Sequence, residues 1–218
     1  FPEDKTIRTG NPLRRQILEA LHEVSPSSGQ APSSAILRLF IFGGSQGARA
    51  INNALPEAIL ALPETLRTRI SIVHQTGEQD EATVRARYLA GGIQAQVMPF
   101  IDNMAAHYAL ADLIICRAGA TTIAEVTAMG KACLFIPFPH ATDDHQRKNA
   151  EALLKQHACE MVIEQEIAKG VLQNRLETLL STPDLLESLR INAKRLGQID
   201  AASLIVDLML KDMPCTEK

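Results

Sequence analysis

Tryptophan is absent and aromatic residues make up only 4% of the 218 residues, so the interior must be built from aliphatic side chains. Such cores suit parallel strands covered by helices on both faces. Cysteine is scarce as well: Cys116, Cys133, Cys159 and Cys215 stand apart with no CxxC pairing. That spacing argues against a disulfide framework or a zinc site and makes a reducing cytoplasm the expected setting. No apolar run approaches the roughly 20 residues of a membrane-spanning helix, and the opening residues carry no signal-peptide pattern. There is no basic excess: 22 Lys and Arg face 25 Asp and Glu, a net charge of −3. Nucleic acid is therefore not an expected partner. The chain opens on Phe1 rather than Met, which raises the expectation of a longer parent protein.

What is present is a 46% hydrophobic fraction, enough for a sizeable core. Residues 9–12 form a Thr-Gly-Asn-Pro turn, residues 13–24 a short helical pattern, and residues 25–34 a Ser/Pro-rich stretch with the composition of a flexible loop. After it, short aliphatic runs alternate with amphipathic ones. The runs are 36–42, 70–74, 95–98, 113–116 and 132–136, with 160–163 as an edge candidate. Helical patterns lie between them at 48–62, 79–89, 104–109, 121–129 and 144–157. Strand–helix alternation predicts parallel βαβ units, hence an α/β, Rossmann-like doubly wound sheet over residues 35–164. Beyond residue 163 only helical texture remains, near 168–180, 183–196 and 201–211, and residues 165–218 are expected to complete the domain as a helical tail. No internal repeat is visible.

In open α/β sheets, ligands bind outside the carboxyl ends of the strands, where helix N-termini present free N–H groups. Four turns after strands are informative. In Gly43-Gly44-Ser45-Gln46-Gly47-Ala48 the glycines allow close backbone approach, and Ser45 can offer a hydroxyl and an amide to phosphate. The alternative is a tight turn with Ser45 as a helix N-cap. In Cys116-Arg117-Ala118-Gly119-Ala120-Thr121-Thr122-Ile123-Ala124-Glu125, amides and hydroxyls at a helix start suit a diphosphate, and a carboxylate one turn further on suits a ribose diol. Here the competing explanation is a capping box between Thr122 and Glu125.

The third turn, residues 137–150, is polar and stiffened by proline. Its His140, Asp143, Asp144 and His145 invite a metal reading, but they fall along a loop without the i, i+4 pair of an H-E-x-x-H helix, so no metal is expected. Asp143 and Asp144 are expected to cap the following helix. Gln146 and Asn149 can serve sugar hydroxyls or act as solvated helix-start residues. In the fourth turn, Met98-Pro99-Phe100-Ile101-Asp102-Asn103-Met104, the backbone of Ile101 can read a base edge through its amide and carbonyl. A helix entry capped by Asp102 or Asn103 explains the same residues.

Taken in order, G-G-S-Q-G-A, F-I-D-x-M, R-x-G-A-x-T-x-x-E and P-F-x-x-x-x-x-x-x-Q-x-x-N-A resemble the MurG family of glycosyltransferases, and Thr9 to Arg14 resembles that family's link between its two domains. The likeness extends over residues 9–163 and implies a GT-B architecture, with residues 1–34 as interdomain linker and short helix. It implies that Arg14 and the Ile101 backbone recognise uracil and that Glu125 binds the ribose hydroxyls. Ser45 and Thr122, with backbone at Gly44, Gln46, Gly119, Ala120 and Thr121, would hold the diphosphate. Gln146 would contact the N-acetylglucosamine hydroxyls, with His145 beside it at a position that often bears an amide in the family.

The implied reaction is inverting transfer of N-acetylglucosamine from UDP-N-acetylglucosamine to the C4 hydroxyl of the N-acetylmuramoyl unit of lipid I, giving lipid II. No cofactor would be required. The family's candidate catalytic base, its lipid I cleft and its membrane-docking surface belong to an N-terminal domain that these motifs do not include. This chain is thus expected to be the donor-binding half, inactive alone, of an enzyme peripheral to the cytoplasmic face of the inner membrane. Two other readings compete: another nucleotide-sugar enzyme of this architecture, such as a lipid glycosyltransferase or a UDP-N-acetylglucosamine 2-epimerase, and a non-catalytic nucleotide-binding module.

Overall fold

The structure is a computed structural model and describes residues 6–23 and 36–212. The Ser/Pro-rich stretch at 25–34, the end of the first helical pattern at Val24, and Cys215 lie outside the described residues. Six strands, β1 (Leu37–Phe42), β2 (Ile70–Gln75), β3 (Ala95–Met98), β4 (Leu113–Cys116), β5 (Cys133–Phe135) and β6 (Glu160–Met161), form one sheet in the order β3-β2-β1-β4-β5-β6. Every pairing is parallel. This is the Rossmann strand order, in which winding reverses between β1 and β4 and leaves a crevice at their carboxyl ends.

The period of two in the strands explains both cores. Leu39 and Ile41 of β1 face the helices α2 (Arg49–Leu60), α4 (Glu81–Ala90), α8 (Val171–Ser181) and α9 (Pro183–Leu196), where Ile51, Leu55, Val84, Leu176 and Leu189 are buried. Phe40 and Phe42 face α1 (Arg15–Glu23), α5 (Met104–Leu110), α6 (Ala120–Met129) and α7 (His145–Leu154), against Ile17, Tyr108, Val126 and Ala150. A strand buried on both faces has no polar side to show, which is why residues 39–42 of β1 are uniformly apolar, while the exposed Arg38 falls near the strand's start.

Several boundaries differ from expectation. A four-residue helix, α3 (Glu64–Arg67), follows α2; Pro63 initiates it, and four residues are too few to carry a periodic signal. The β6 edge strand is only two residues long, and a 3₁₀ segment, Glu164–Lys169, precedes α8, which starts at Val171 after the left-handed Gly170. The last helix, α10 (Ala201–Asp212), follows the expected pattern.

Beneath β2 runs a buried polar chain. The Nδ2 of Asn52 donates to the Thr76 carbonyl and to Asp80 Oδ2, both at 2.8 Å. Its Oδ1 therefore accepts from His74 Nε2 at 3.2 Å, which leaves His74 Nδ1 to accept from the Tyr88 hydroxyl at 3.1 Å. Burial pushes the His74 imidazole down to about 3. The unfolded chain, with an ordinary histidine near 6.5, takes up a proton that the folded chain refuses. The stability His74 contributes above pH 6.5 is therefore lost as pH falls toward 3, by about 1.4 kcal/mol per pH unit. Urea unfolding at pH 7, 5.5 and 4.5 should show this slope, and it should shrink in His74→Gln; parallel pH profiles for the two proteins would refute it.

Candidate functional site

The crevice between β1 and β4 is walled by two turns. After β1, Gly44 (φ +107°) and Gly47 (φ +76°) hold left-handed conformations, and the Gly47 amide donates to the Gly44 carbonyl at 3.0 Å. Gly44, Ser45 and Gln46 are exposed at the tip. The Ser45 capping alternative fails: α2 begins at Arg49, and Ala48, which has no polar side chain, occupies the N-cap. Ser45 lies in the turn itself, and the first-turn amides of α2 have no partner within the helix.

After β4, Gly119 is the N-cap of α6, and the first helical bond runs from the Ile123 amide to its carbonyl at 2.9 Å. The amides of Ala120, Thr121 and Thr122 are thus left over at a helix N-terminus, whose partial positive charge suits an anion. The capping-box alternative also fails. A box needs a Thr at the N-cap and a Glu at the third helical position, whereas Thr122 is itself third and Glu125 sixth.

Glu125 is buried, at 1% exposure, and pairs bidentately with Arg14: Nε donates to Oε1 at 2.5 Å and Nη2 to Oε2 at 2.7 Å. The bond to Glu125 raises the Arg14 guanidinium above its usual value against the opposing effect of burial. Chiefly through burial, with Cys116 and Glu125 adding, the nearby Tyr108 phenol is raised well above its normal range. Asn11 Nδ2 donates to Thr121 Oγ1 at 3.4 Å, so the segment before α1 lies across the start of α6. Arg14 and Glu125, expected at uracil and ribose respectively, are here brought to each other.

At the fourth turn, Ile101 is buried and its amide donates to Gln75 Oε1 at 2.9 Å. The expectation that a base edge would use this amide is corrected: a side chain already occupies it. Asn103 caps α5 by accepting from the Ala106 amide at 3.1 Å, as one alternative had it. Gln75 is a residue the sequence reading missed. Its signal is a polar side chain at the end of an aliphatic strand, one residue beyond the aliphatic run at 70–74.

The third turn holds further corrections. Asp143 (φ +53°) and Asp144 (φ +55°) are both left-handed, and Asp144 sits at the α7 N-cap without a side-chain capping bond. A side chain leaving a left-handed residue is not aimed at the helix amides as one leaving an extended N-cap is. The Phe138 amide donates to Gln146 Oε1 at 3.0 Å, which ties that oxygen to its own loop and leaves the NH₂ as donor. His145 Nδ1 donates to the Thr142 carbonyl at 2.8 Å. Asn149 Nδ2 donates to the Ala118 carbonyl at 3.3 Å, joining the third turn to the second. Arg117, given no role beforehand, reinforces that joint. It donates to the Ile136 and Pro137 carbonyls at 3.0 Å, pairs with Glu164 at 2.7 Å and lies 5.3 Å from the Phe138 ring centre. Among the described residues no three His, Cys, Asp or Glu side chains are grouped so as to hold a metal ion, and no helix is long and apolar enough to cross a membrane.

Residues 38–205 match the model of the glycosyltransferase family 28 C-terminal domain. The chain is 56% identical over 229 residues to the UDP-N-acetylglucosamine--N-acetylmuramyl-(pentapeptide) pyrophosphoryl-undecaprenol N-acetylglucosamine transferase of Trichlorobacter lovleyi, a match covering 100% of this chain and 60% of that protein. It therefore spans less than two thirds of that relative's length. Among solved structures, Acinetobacter baumannii MurG superposes with a TM-score of 0.77 at 36% identity over 84% of this chain and 55% of that one. A UDP-GlcNAc 2-epimerase from Neisseria meningitidis, at 14% identity and TM-score 0.63 over 97% of this chain and 56% of its own, shares the fold alone.

Proposed function

Given that the chain belongs to the family of glycosyltransferase family 28 C-terminal domains, we propose that it is the donor-binding part of an enzyme that transfers N-acetylglucosamine from UDP-N-acetylglucosamine to the C4 hydroxyl of the N-acetylmuramoyl unit of lipid I, yielding lipid II. The observation that carries this reading is the pair of helix N-termini, α2 behind Gly44 and α6 behind Gly119, flanking one crevice with a buried carboxylate one turn inside it.

The diphosphate lies between the two N-termini, on the amides from Gly44 to Gln46 and from Gly119 to Thr122, with the hydroxyls of Ser45 and Thr122. Departing UDP gains negative charge in the transition state, and fixed amide dipoles stabilise that charge without reorganising. The ribose diol donates to Glu125, which requires Arg14 to leave the carboxylate and turn toward the base. Uracil meets the carbonyl side of Ile101, and the Gln146 NH₂, with His145 next to it, faces the sugar hydroxyls. The base that activates the acceptor hydroxyl, the lipid I site and the attachment to the cytoplasmic face of the inner membrane belong to the rest of the enzyme. An epimerase needs acid–base carboxylates of its own in the crevice, whereas the buried Glu125 is assigned here to the ribose diol.

Calorimetry tests this reading. The chain should bind UDP and UDP-N-acetylglucosamine without forming lipid II by itself. Since amides and hydroxyls are assigned the diphosphate, adding EDTA and then excess magnesium should shift UDP affinity by less than about tenfold, the equivalent of roughly 1.4 kcal/mol. A larger loss on chelation would replace the helix N-termini with a bridging metal, and absence of UDP binding would remove the donor assignment.

A further inference from the structure

The carboxyl end of β2 is wedged between the two loops that the proposed function assigns to the diphosphate and to the base. Gln75 is 3% exposed and spends both ends of its amide on backbone: Nε2 donates to the Gly44 carbonyl at 2.8 Å, and Oε1 accepts from the Ile101 amide at 2.9 Å. The next two residues extend the wedge. The amides of Thr76 and Gly77 donate to the Met98 and Pro99 carbonyls, both at 3.0 Å, on the base side. On the phosphate side contact is backbone to backbone. A Cβ on Gly47 would stand 1.8 Å from the Thr76 carbonyl oxygen, and one on Gly77 would stand 2.3 Å from that of Gln46. From behind, Asn52 Nδ2 holds the Thr76 carbonyl at 2.8 Å.

We propose that Gln75 is a positioning residue for nucleotide recognition: it clasps the Gly44–Gly47 loop to the Ile101 loop, so that one ligand spanning both meets a crevice of fixed width. This rests on the donor-binding reading above. Only a side chain with a donor at one end and an acceptor at the other serves both loops. An aliphatic residue leaves the buried Ile101 amide unpaired at the floor of the site, at the full desolvation cost of that group, and leaves the Gly44 carbonyl held only by the Gly47 amide within its own loop. Gln75 touches neither diphosphate nor base in this scheme. It sets the distance between the groups that do.

The chemistry of a carboxyl group supplies a test that a purely structural role does not pass. In Gln75→Glu, the ionised side chain can accept from Ile101 but sets a second acceptor against the Gly44 carbonyl, whereas the protonated form regains a donor and mimics the amide. Burial in that position raises a carboxyl's pKa, bringing protonation within reach of mild acid. His74, the neighbour in the chain, stays neutral down to about pH 3 and does not interfere in the folded protein.

UDP affinity of the unsubstituted chain, Gln75→Leu and Gln75→Glu should be measured by calorimetry at pH 8 and 5.5, alongside melting temperatures. At pH 8 both variants should bind at least about tenfold more weakly, the factor expected for roughly 1.4 kcal/mol. At pH 5.5 Gln75→Glu should recover most of that loss relative to the unsubstituted chain, while Gln75→Leu should not. Should the leucine variant fail to fold, the glutamate variant at two pH values still decides. Equal UDP affinity in all three proteins, or a glutamate variant equally weak at both pH values, overturns the clasp while leaving the donor-binding reading intact. Failure of the unsubstituted chain to bind UDP overturns that reading instead.

Discussion

Replacement of Glu125 by alanine is expected to weaken UDP binding by about two orders of magnitude, without a matching loss of stability. Two charge-assisted hydrogen bonds to the ribose diol are each worth roughly 1.5–3 kcal/mol. Against this stands the cost of drawing Arg14 away from the carboxylate, since both oxygens are bonded to that guanidinium in the ligand-free chain. The net effect falls at the lower end of the sum, near roughly 3 kcal/mol. Folding should suffer less. With Glu125 gone, Arg14, whose side chain is 46% exposed, is left facing water, where a lost pair costs about 1 kcal/mol or less. Calorimetry with UDP and with its 2′,3′-dideoxy analogue separates the roles: the alanine variant should lose affinity for the first and match the parent chain on the second. Equal loss on both ligands would mean that Glu125 shapes the crevice instead of holding the diol.

The second large effect belongs to Gly47. Gly47→Ala puts a methyl carbon 1.8 Å from the Thr76 carbonyl oxygen, at a backbone φ of +76° that L side chains rarely adopt. Left-handed strain of about 1–2 kcal/mol adds to a clash with backbone that cannot turn aside, typically 1–3 kcal/mol in overpacked sites. The chain should therefore lose about 2–5 kcal/mol of stability and, because the Gly44–Gly47 loop must move off the β2 terminus, most of its UDP affinity. Gly44→Ala is the matched control. It is also left-handed, at φ +107°, but a Cβ there meets nothing within 4 Å, so only the strain remains. Urea denaturation of the two variants should place Gly47→Ala well below Gly44→Ala. Similar midpoints would mean that the loop yields easily and that the close approach carries no weight.

The strands and main helices were legible because period and composition are local properties. β1, β2, β4 and β5 announce themselves as aliphatic runs, and the glycines at 43–47 and 119 mark where the sheet hands over to helices. The parallel, doubly wound character of the sheet followed from the alternation, whereas the strand order, which alternation leaves open, is seen only in the fold. What stayed hidden was pairing between distant side chains. Nothing local ties Arg14 to Glu125, 111 residues apart, and the spacing of Thr122 and Glu125 offered a nearer but wrong partner. The clasp by Gln75 was hidden for the same reason: its partners Gly44 and Ile101 lie 31 and 26 residues away in the chain. Asp143 and Asp144 misled because adjacent acidic residues before a helix usually cap it, while here two successive left-handed residues turn the loop before α7 begins.

The two tyrosines give the protein an optical property of its own. With no tryptophan in the chain, its long-wavelength ultraviolet signal comes from Tyr88 and Tyr108, and both are buried to 1% exposure. They report on different places. Tyr88 is bonded to His74 in the polar chain beneath β2, while Tyr108 packs edge-on to Phe40 and Phe42, with ring centres 5.7 and 5.8 Å away, beside the Arg14–Glu125 pair. A phenol locked among rings in a fixed asymmetric setting gives sharp near-ultraviolet dichroism, a signal lost when specific packing loosens. The chain thus carries two unlabelled chromophores, one reading the integrity of the sheet's underside and the other the floor of the crevice.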